Sequence, residues 1–237
     1  TGLSYWEPLL RINVLPARRR PMLSIENMRV SSLTTLEHRW PVIGATRRRS
    51  RDQRTPVRAW RTSQTLVTED RLIAAAHCAS LPIEPKYQDA LVELVAWAWT
   101  EGCITNRGKA VSIAQSWRVH PEYCAAIRAA FTTLYGPARN ETRSLLRTGI
   151  PAWREKRQEN GMTIFYPNAA ASGPILNEMD GEKVVRTEFI AALTYSQLRL
   201  FVDRSIDGDG SRRGDGALFT QRVERRNSIF EMASVLL

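Results

Sequence analysis

Two acidic residues, each followed by glycine and each closing an apolar stretch, carry the clearest chemistry in this chain. Glu101-Gly102 ends LVELVAWAWTEG (91–102), and Asp209-Gly210 ends LRLFVDRSIDGDG (198–210). A carboxylate at a helix C-terminus meets the negative potential of unpaired carbonyls, where cations are favoured. Two such ends side by side repel each other and raise at least one pKa. A divalent cation between them removes both penalties. Hard oxygen ligands, few in number and completed by water and a substrate phosphate, describe a Mg2+ site for phosphodiester cleavage. The competing reading is that Glu101 and Asp209 merely close buried helices.

The segments after the two acids also correspond. Glu101-Gly102 leads through Asn106-Arg107-Gly108 into the strand-like 110–115, then a helical stretch from Pro121. Asp209-Gly210 leads through Arg212-Arg213-Gly214 into the strand-like 217–221, then a helical stretch to the end. A repeated order of this kind predicts two similar halves, with Glu101 and Asp209 meeting near a pseudo-two-fold axis. Gly102 and Gly210 are expected in the left-handed position that ends a helix. The strands after them would carry Ser112, Gln115 and Gln221 into a DNA groove, where glutamine pairs with adenine. Arg107, Lys109, Arg212 and Arg213, placed in turns, would hold phosphates.

The elements around these motifs are legible in outline. Asp89 is expected to cap a helix that is apolar nearly all round and therefore enclosed on most sides. Gly136-Pro137 stops the helix that starts at Pro121. In WREKRQENGMTIFYP, Asn160-Gly161 marks a hairpin between a basic strand and an apolar-aromatic one, and Arg154 of the basic strand joins the DNA-contact candidates. Thr194 and Gln197 have capping-box spacing, and Leu198, Phe201, Val202 and Ile206 fall on one helical face. Residues 1–80 differ, with extended stretches at 9–15, 22–30 and 57–60 between Pro and Arg clusters. The basic runs Arg18 to Arg20 and Arg47 to Arg51 read as solvated loops.

Bulk properties favour a polyanionic partner. The chain has 237 residues, with 34 Lys+Arg against 24 Asp+Glu, and a sequence pI near 10.1, which raises local phosphate concentration. Cys78, Cys103 and Cys124 are odd in number and form no CxxC pair, against a disulfide scaffold and for a reducing, intracellular (cytoplasmic) setting. No signal peptide or membrane-length apolar run is read, and both ends suggest a fragment of a longer polypeptide. His77-Cys78 and His120 are too scattered for a zinc site. Trp97, Trp99, Trp117 and Trp153 read as core or sheet packing rather than base-stacking platforms.

The paired helices resemble the motifs of LAGLIDADG homing endonucleases, with 94–102 and 202–210 aligned on the nine-residue motif and the acids 108 residues apart (209 − 101). The resemblance implies an α+β fold: an αββαββα unit used twice, as a monomeric pseudo-dimer, with saddle-shaped sheets on double-stranded DNA. It also implies Glu101 and Asp209 as ligands of catalytic Mg2+, and hydrolysis of both strands at a long site. Lys109 and Lys156 are the candidates to steady the phosphate. Two departures stand out: Glu101 where the family more often has Asp, and Arg204 where a small residue normally lets the helices pack.

Thr35-Leu36-Glu37-His38 resembles the TxxH block of intein splicing (Hint) domains, which implies Thr35 and His38 polarising a scissile peptide bond. The implied layout is a partial β-rich splicing segment (1–82), a first endonuclease half (83–193) and a second, incomplete half (194–237), embedded in a host protein. The nucleophile and terminal His-Asn blocks would lie outside the chain, so that this piece is not expected to splice. The counterpart of the 153–167 hairpin would fall past the end too. The alternative is a non-catalytic DNA-binding protein on the same scaffold, a decayed endonuclease or a regulator.

Overall fold

The computed structural model describes residues 3–5, 7, 10–12, 14, 16, 19–26, 31–45, 56–73, 77–138, 152–214, 216–220 and 228–237. The fold is α+β, and the chain divides into two compact units, residues 4–76 and 77–237. Among the described residues no helix is long and apolar enough to cross a membrane.

The first unit is built of antiparallel strands. β1 (Met22–Glu26) pairs with β2 (Ser31–Thr35). β3 (Arg39–Ala45) lies between β4 (Pro56–Thr62) and β5 (Arg71–Leu72). Of the stretch expected to be extended at 9–15, the described Leu10, Ile12 and Val14 are exposed and outside any strand. The strand expected at 22–30 is described only to Glu26, and the Arg47 to Arg51 run lies outside the described residues.

The second unit opens with α1 (Asp89–Glu101), β6 (Gly102–Thr105), β7 (Ala110–Ser116), α2 (Pro121–Tyr135), β8 (Trp153–Arg157), β9 (Met162–Pro167) and α3 (Ala169–Asn177). The four strands form one antiparallel sheet in the order β8-β9-β7-β6. After the short α4 (Thr187–Ala191) come α5 (Tyr195–Asp209), β10 (Gly210–Arg213), β11 (Gly216–Phe219) and α6 (Ser228–Leu236). The order helix, strand, strand thus recurs around each acid-glycine pair.

Local signals account for most helix ends. Gly136, at φ 78°, donates its N–H to Thr132 O and stops α2. Thr194 and Gln197 form a reciprocal capping box at the start of α5. Gly161, at φ 91°, takes the left-handed position in the β8–β9 turn. Asp89 is not the cap of α1. Gln88 holds that position, and Asp89 is instead the first helical residue, its carboxylate accepting from Gln197 Nε2 at 2.9 Å.

The core explains why α1 is apolar on nearly every side. Its residues 94–99 are fully buried, because α5, α2, α3 and β7 all pack on it. Trp99 stacks on Phe201 of α5 with ring centroids 5.6 Å apart, and Trp97 meets Tyr123 of α2 at 5.4 Å. A fully buried aliphatic or phenylalanine side chain of this core contributes roughly 1.5–3 kcal/mol by leaving water. The buried indole N–H groups of Trp97 and Trp99 have no hydrogen-bond partner among the described residues to offset their own desolvation. α5 is one-sided: Leu198, Phe201, Val202 and Ile206 are buried, with Ser205 beside them.

Candidate functional site

α1 and α5 lie side by side, joined at both ends through equivalent positions. Near their N-termini Gln197 donates to Asp89, and near their C-termini Gly208 meets Thr100; each pair is 108 residues apart. Contact between equivalent residues is what a two-fold relation between two helices requires. A side chain at Gly208 would place its Cβ 2.6 Å from Thr100 Cβ. The small residue that this close approach requires lies four positions beyond Arg204.

Arg204 stands at the flank of this contact. Its Nε donates to Glu93 of α1 at 2.7 Å and its Nη1 to Asp207 at 2.7 Å. Burial alone would lower its pKa, but the two carboxylates outweigh that and hold the guanidinium above its usual value. Arg204 therefore bridges the helices rather than forcing them apart.

Both glycines after the acids have extended backbones: Gly102 at φ −84°, ψ 155° and Gly210 at φ −113°, ψ −175°. The expected left-handed conformation is absent at both. Space is the reason for glycine here. Each chain turns straight from helix into strand, and an added Cβ would stand 2.8 Å from the Cα four residues back, Ala98 or Ile206.

Glu101 and Asp209 end adjacent helices, and the charge of Asp209 reaches Glu101. Burial first, and Asp209 second, push the Glu101 carboxyl up to about 7, while Lys183 and His120 pull it back. Lys183 is a site residue that sequence reasoning missed. Buried and at φ 67°, it donates its ammonium to Thr100 O at 3.2 Å and to Gly102 O. It thereby supplies the cation that the α1 C-terminus favours.

A pocket of about 450 Å3 opens at these helix ends, lined by Glu101, Gln115, His120, Tyr123, Asp207 and Arg212 among others. His120 contacts Glu122 at 3.2 Å and stacks on Tyr123 at 4.6 Å. Arg212 is held above its usual pKa chiefly by its hydrogen bond to Asp203, with Asp207 adding to it.

The other expected contact residues are dispersed. Gln115 does not face an open groove: it is buried on the helix-facing side of β7 with Val111 and Ile113, and reaches the pocket instead. Ser112 lies on the opposite face, with Cys103 across from it. Arg154 and Lys156 share that face with Tyr166 and Ile164, their register partners, and Arg154 stacks over the Tyr166 ring at 5.3 Å. Arg107 and Lys109 are exposed at the β6–β7 turn, where Asn106, Arg107 and Gly108 all have positive φ. Neither Lys109 nor Lys156 lines the carboxylate pocket. Arg212 and Arg213 sit on β10 rather than in a turn. Gln221 lies outside the described residues.

In the first unit Thr35 and His38 close one turn, His38 N–H donating to Thr35 O at 3.2 Å, with the imidazole edge-on to Trp40 at 4.8 Å. Cys78, Cys103 and Cys124 are unpaired thiols.

Among the described residues no group of three or more His, Cys, Asp and Glu side chains is arranged to hold a metal. Glu101 and Asp209 stand at two neighbouring helix ends, with Glu101 pushed up to about 7; of the two only Glu101 lines the pocket, where Asp207 is the other carboxylate. That donor set fits a hard cation that keeps most of its water, as Mg2+ does, and not a closed tetrahedral centre. No protein-family model matches the chain, and no curated protein is detectably similar to it.

Proposed function

We propose that this chain is an intein-borne homing endonuclease of the LAGLIDADG kind, making Mg2+-dependent double-strand breaks at a long DNA site. The observation that carries the reading is the pairing of α1 with α5 through equivalent residues, Thr100 on Gly208, so that Glu101 and Asp209 close neighbouring helix ends.

Glu101 and Asp209 would hold Mg2+, which when bound supplies an activated water and stabilises charge on the phosphate. Lys183 fixes the end of α1, and with it the carboxylate of Glu101. His120 and Tyr123 put an imidazole and a phenol on the pocket wall, groups able to pass a proton to a departing oxygen. The open face of the first sheet, with Ser112, Arg154 and Lys156, offers hydroxyl and cationic groups to a duplex, and Arg107 and Lys109 add cations at its turn. The compact β unit with Thr35 and His38 in one turn supports the splicing-domain part of the reading.

The test is incubation of the chain with a duplex library in Mg2+, scored for double-strand cuts, alongside Glu101→Gln and Asp209→Asn. Each substitution is expected to abolish cutting while duplex binding persists. Cutting that survives either one rejects the ligand assignment.

A second reading, a non-catalytic DNA-binding protein, draws on Arg204 and Arg212. These bases near the site are already engaged by Glu93, Asp203 and Asp207. It predicts salt-dependent DNA binding with no Mg2+-dependent cutting.

A further inference from the structure

Most of the chain's net positive charge belongs to residues 4–76, not to the unit that holds Glu101 and Asp209. Residues 4–76 contain 14 Lys+Arg and 6 Asp+Glu, a net of +8 (14 − 6) out of the chain's +10. Residues 77–237 carry the remaining 20 basic and 18 acidic side chains, a net of +2. The three-stranded sheet of the first unit carries Arg39, Arg58 and Arg71, three of those fourteen basic residues, on one face. Strand register puts Arg71, Ile43 and Arg58 in one row, Pro41 and Trp60 in the next, and Arg39 with Thr62 in the third, all on one side. The opposite side carries Val42, Gly44 and the Arg61–Asp70 ion pair.

On the first side Arg39, Arg58 and Arg71 are exposed, and no Asp or Glu stands on any of the three strands. Among the described residues none of these three arginines is in an ion pair with a carboxylate, whereas Arg61 behind them is. Trp60 is 62% exposed in their midst, with the Arg39 guanidinium 5.5 Å from its ring centroid. An exposed indole among arginines that, among the described residues, pair with no carboxylate has the composition of a stacking platform on a phosphate-tracking surface. Duplex DNA offers no base face to an indole; a single strand does.

We infer that this face of the β3–β4–β5 sheet binds single-stranded nucleic acid, Arg39, Arg58 and Arg71 contacting phosphates and Trp60 stacking on a base. It is a second site, independent of Glu101 and Asp209, and stands whether or not the chain cuts DNA.

The experiment is fluorescence anisotropy of the full chain with a random-sequence single-stranded oligonucleotide and its duplex, in EDTA, across a salt series. The single strand is expected to bind more tightly than the duplex. R39A/R58A/R71A is expected to weaken it at least 10-fold and to flatten the log K against log salt slope by about 2, some 0.7 for each phosphate no longer neutralised. W60A is expected to remove the preference for the single strand. The lysine triple R39K/R58K/R71K, which keeps the charge, is expected to retain the slope. K86A/R186A/R199A, the same charge loss on the other unit, is expected to leave it within 2-fold. Tighter duplex binding, an unchanged slope in the alanine triple, or equal losses from the two triples would overturn the inference. Because no cut is scored, failure here is separate from failure of the endonuclease reading.

Discussion

Thr100 and Gly208 touch at equivalent points of two helices, so the pairing tolerates no side chain at position 208. Gly208→Ala is expected to destabilise the second unit by about 1–3 kcal/mol through overpacking. Thr100→Ala in the same molecule should recover part of that loss, because the two substitutions share one contact. Denaturant midpoints of the four proteins of the cycle measure the coupling. Strict additivity would mean the helices are not in contact there.

Glu101 sets a pH dependence of definite sign. Its carboxyl is raised from 4.5 to about 7 in the folded chain, by burial and then by Asp209. Between these values the folded state binds more protons than the unfolded one, so stability falls as pH rises. The cost is fully present above about 7 and absent below 4.5. Discounted for solvent screening on a partly exposed group, it amounts to roughly 1–2 kcal/mol. Glu101→Gln should therefore melt higher than the parent at about pH 8 and level with it at about pH 4. Mg2+ should raise the parent's melting temperature at the higher pH and leave the variant unmoved.

Arg204 gives a prediction opposite to the one its bulk suggests. Replacing it with alanine leaves Glu93 without its cation and Asp207 with Arg212 alone, the two carboxylate side chains being only 16% and 10% exposed. A loss of about 1–3 kcal/mol is expected, less than for a fully buried pair. If Arg204→Ala is instead more stable than the parent, the bridge is a burden on the interface. Chemical denaturation near neutral pH decides the sign.

Lys183 should matter to stability and to titration together. Lys183→Met keeps the length but leaves Thr100 O and Gly102 O without their charged donor, at a cost of about 1.5–3 kcal/mol. It also removes a charge that holds Glu101 down, so that carboxyl should titrate still higher. Carbon-13 NMR of the Glu101 side chain reads the change. A purely structural lysine would unsettle the fold and leave that titration in place.

The sequence showed the parts of this molecule that are set locally. The Thr194–Gln197 box, the stop at Gly136, the Gly161 turn and the buried face of α5 each follow from a few adjacent residues. The all-apolar α1 also announced its enclosure. Lys183 was invisible because its partners Thr100 and Gly102 are 83 and 81 residues away and nothing near it marks a site. Gln115 was read onto the wrong face because alternation gives a strand two faces, and only the packing of α1 and α2 decides which is covered. Arg204 looked obstructive for the same reason: Glu93, its partner, lies 111 residues earlier. Gly102 and Gly210 were read from the usual reason for a glycine at a helix end, when crowding by the preceding turn was the operative one.

The direct passage from helix to strand at Gly102 and Gly210 has a mechanical meaning. No flexible linker separates either carboxylate from the ribbon after it, so each helix acts as the axle of its own hairpin. Turning an axle by one helical residue, about 100°, swings the acid and the strand through the same arc. The two helix–ribbon segments can then fall out of phase only as whole assemblies. Damage at the Thr100–Gly208 bearing would misalign acid and ribbon together, leaving neither to compensate for the other.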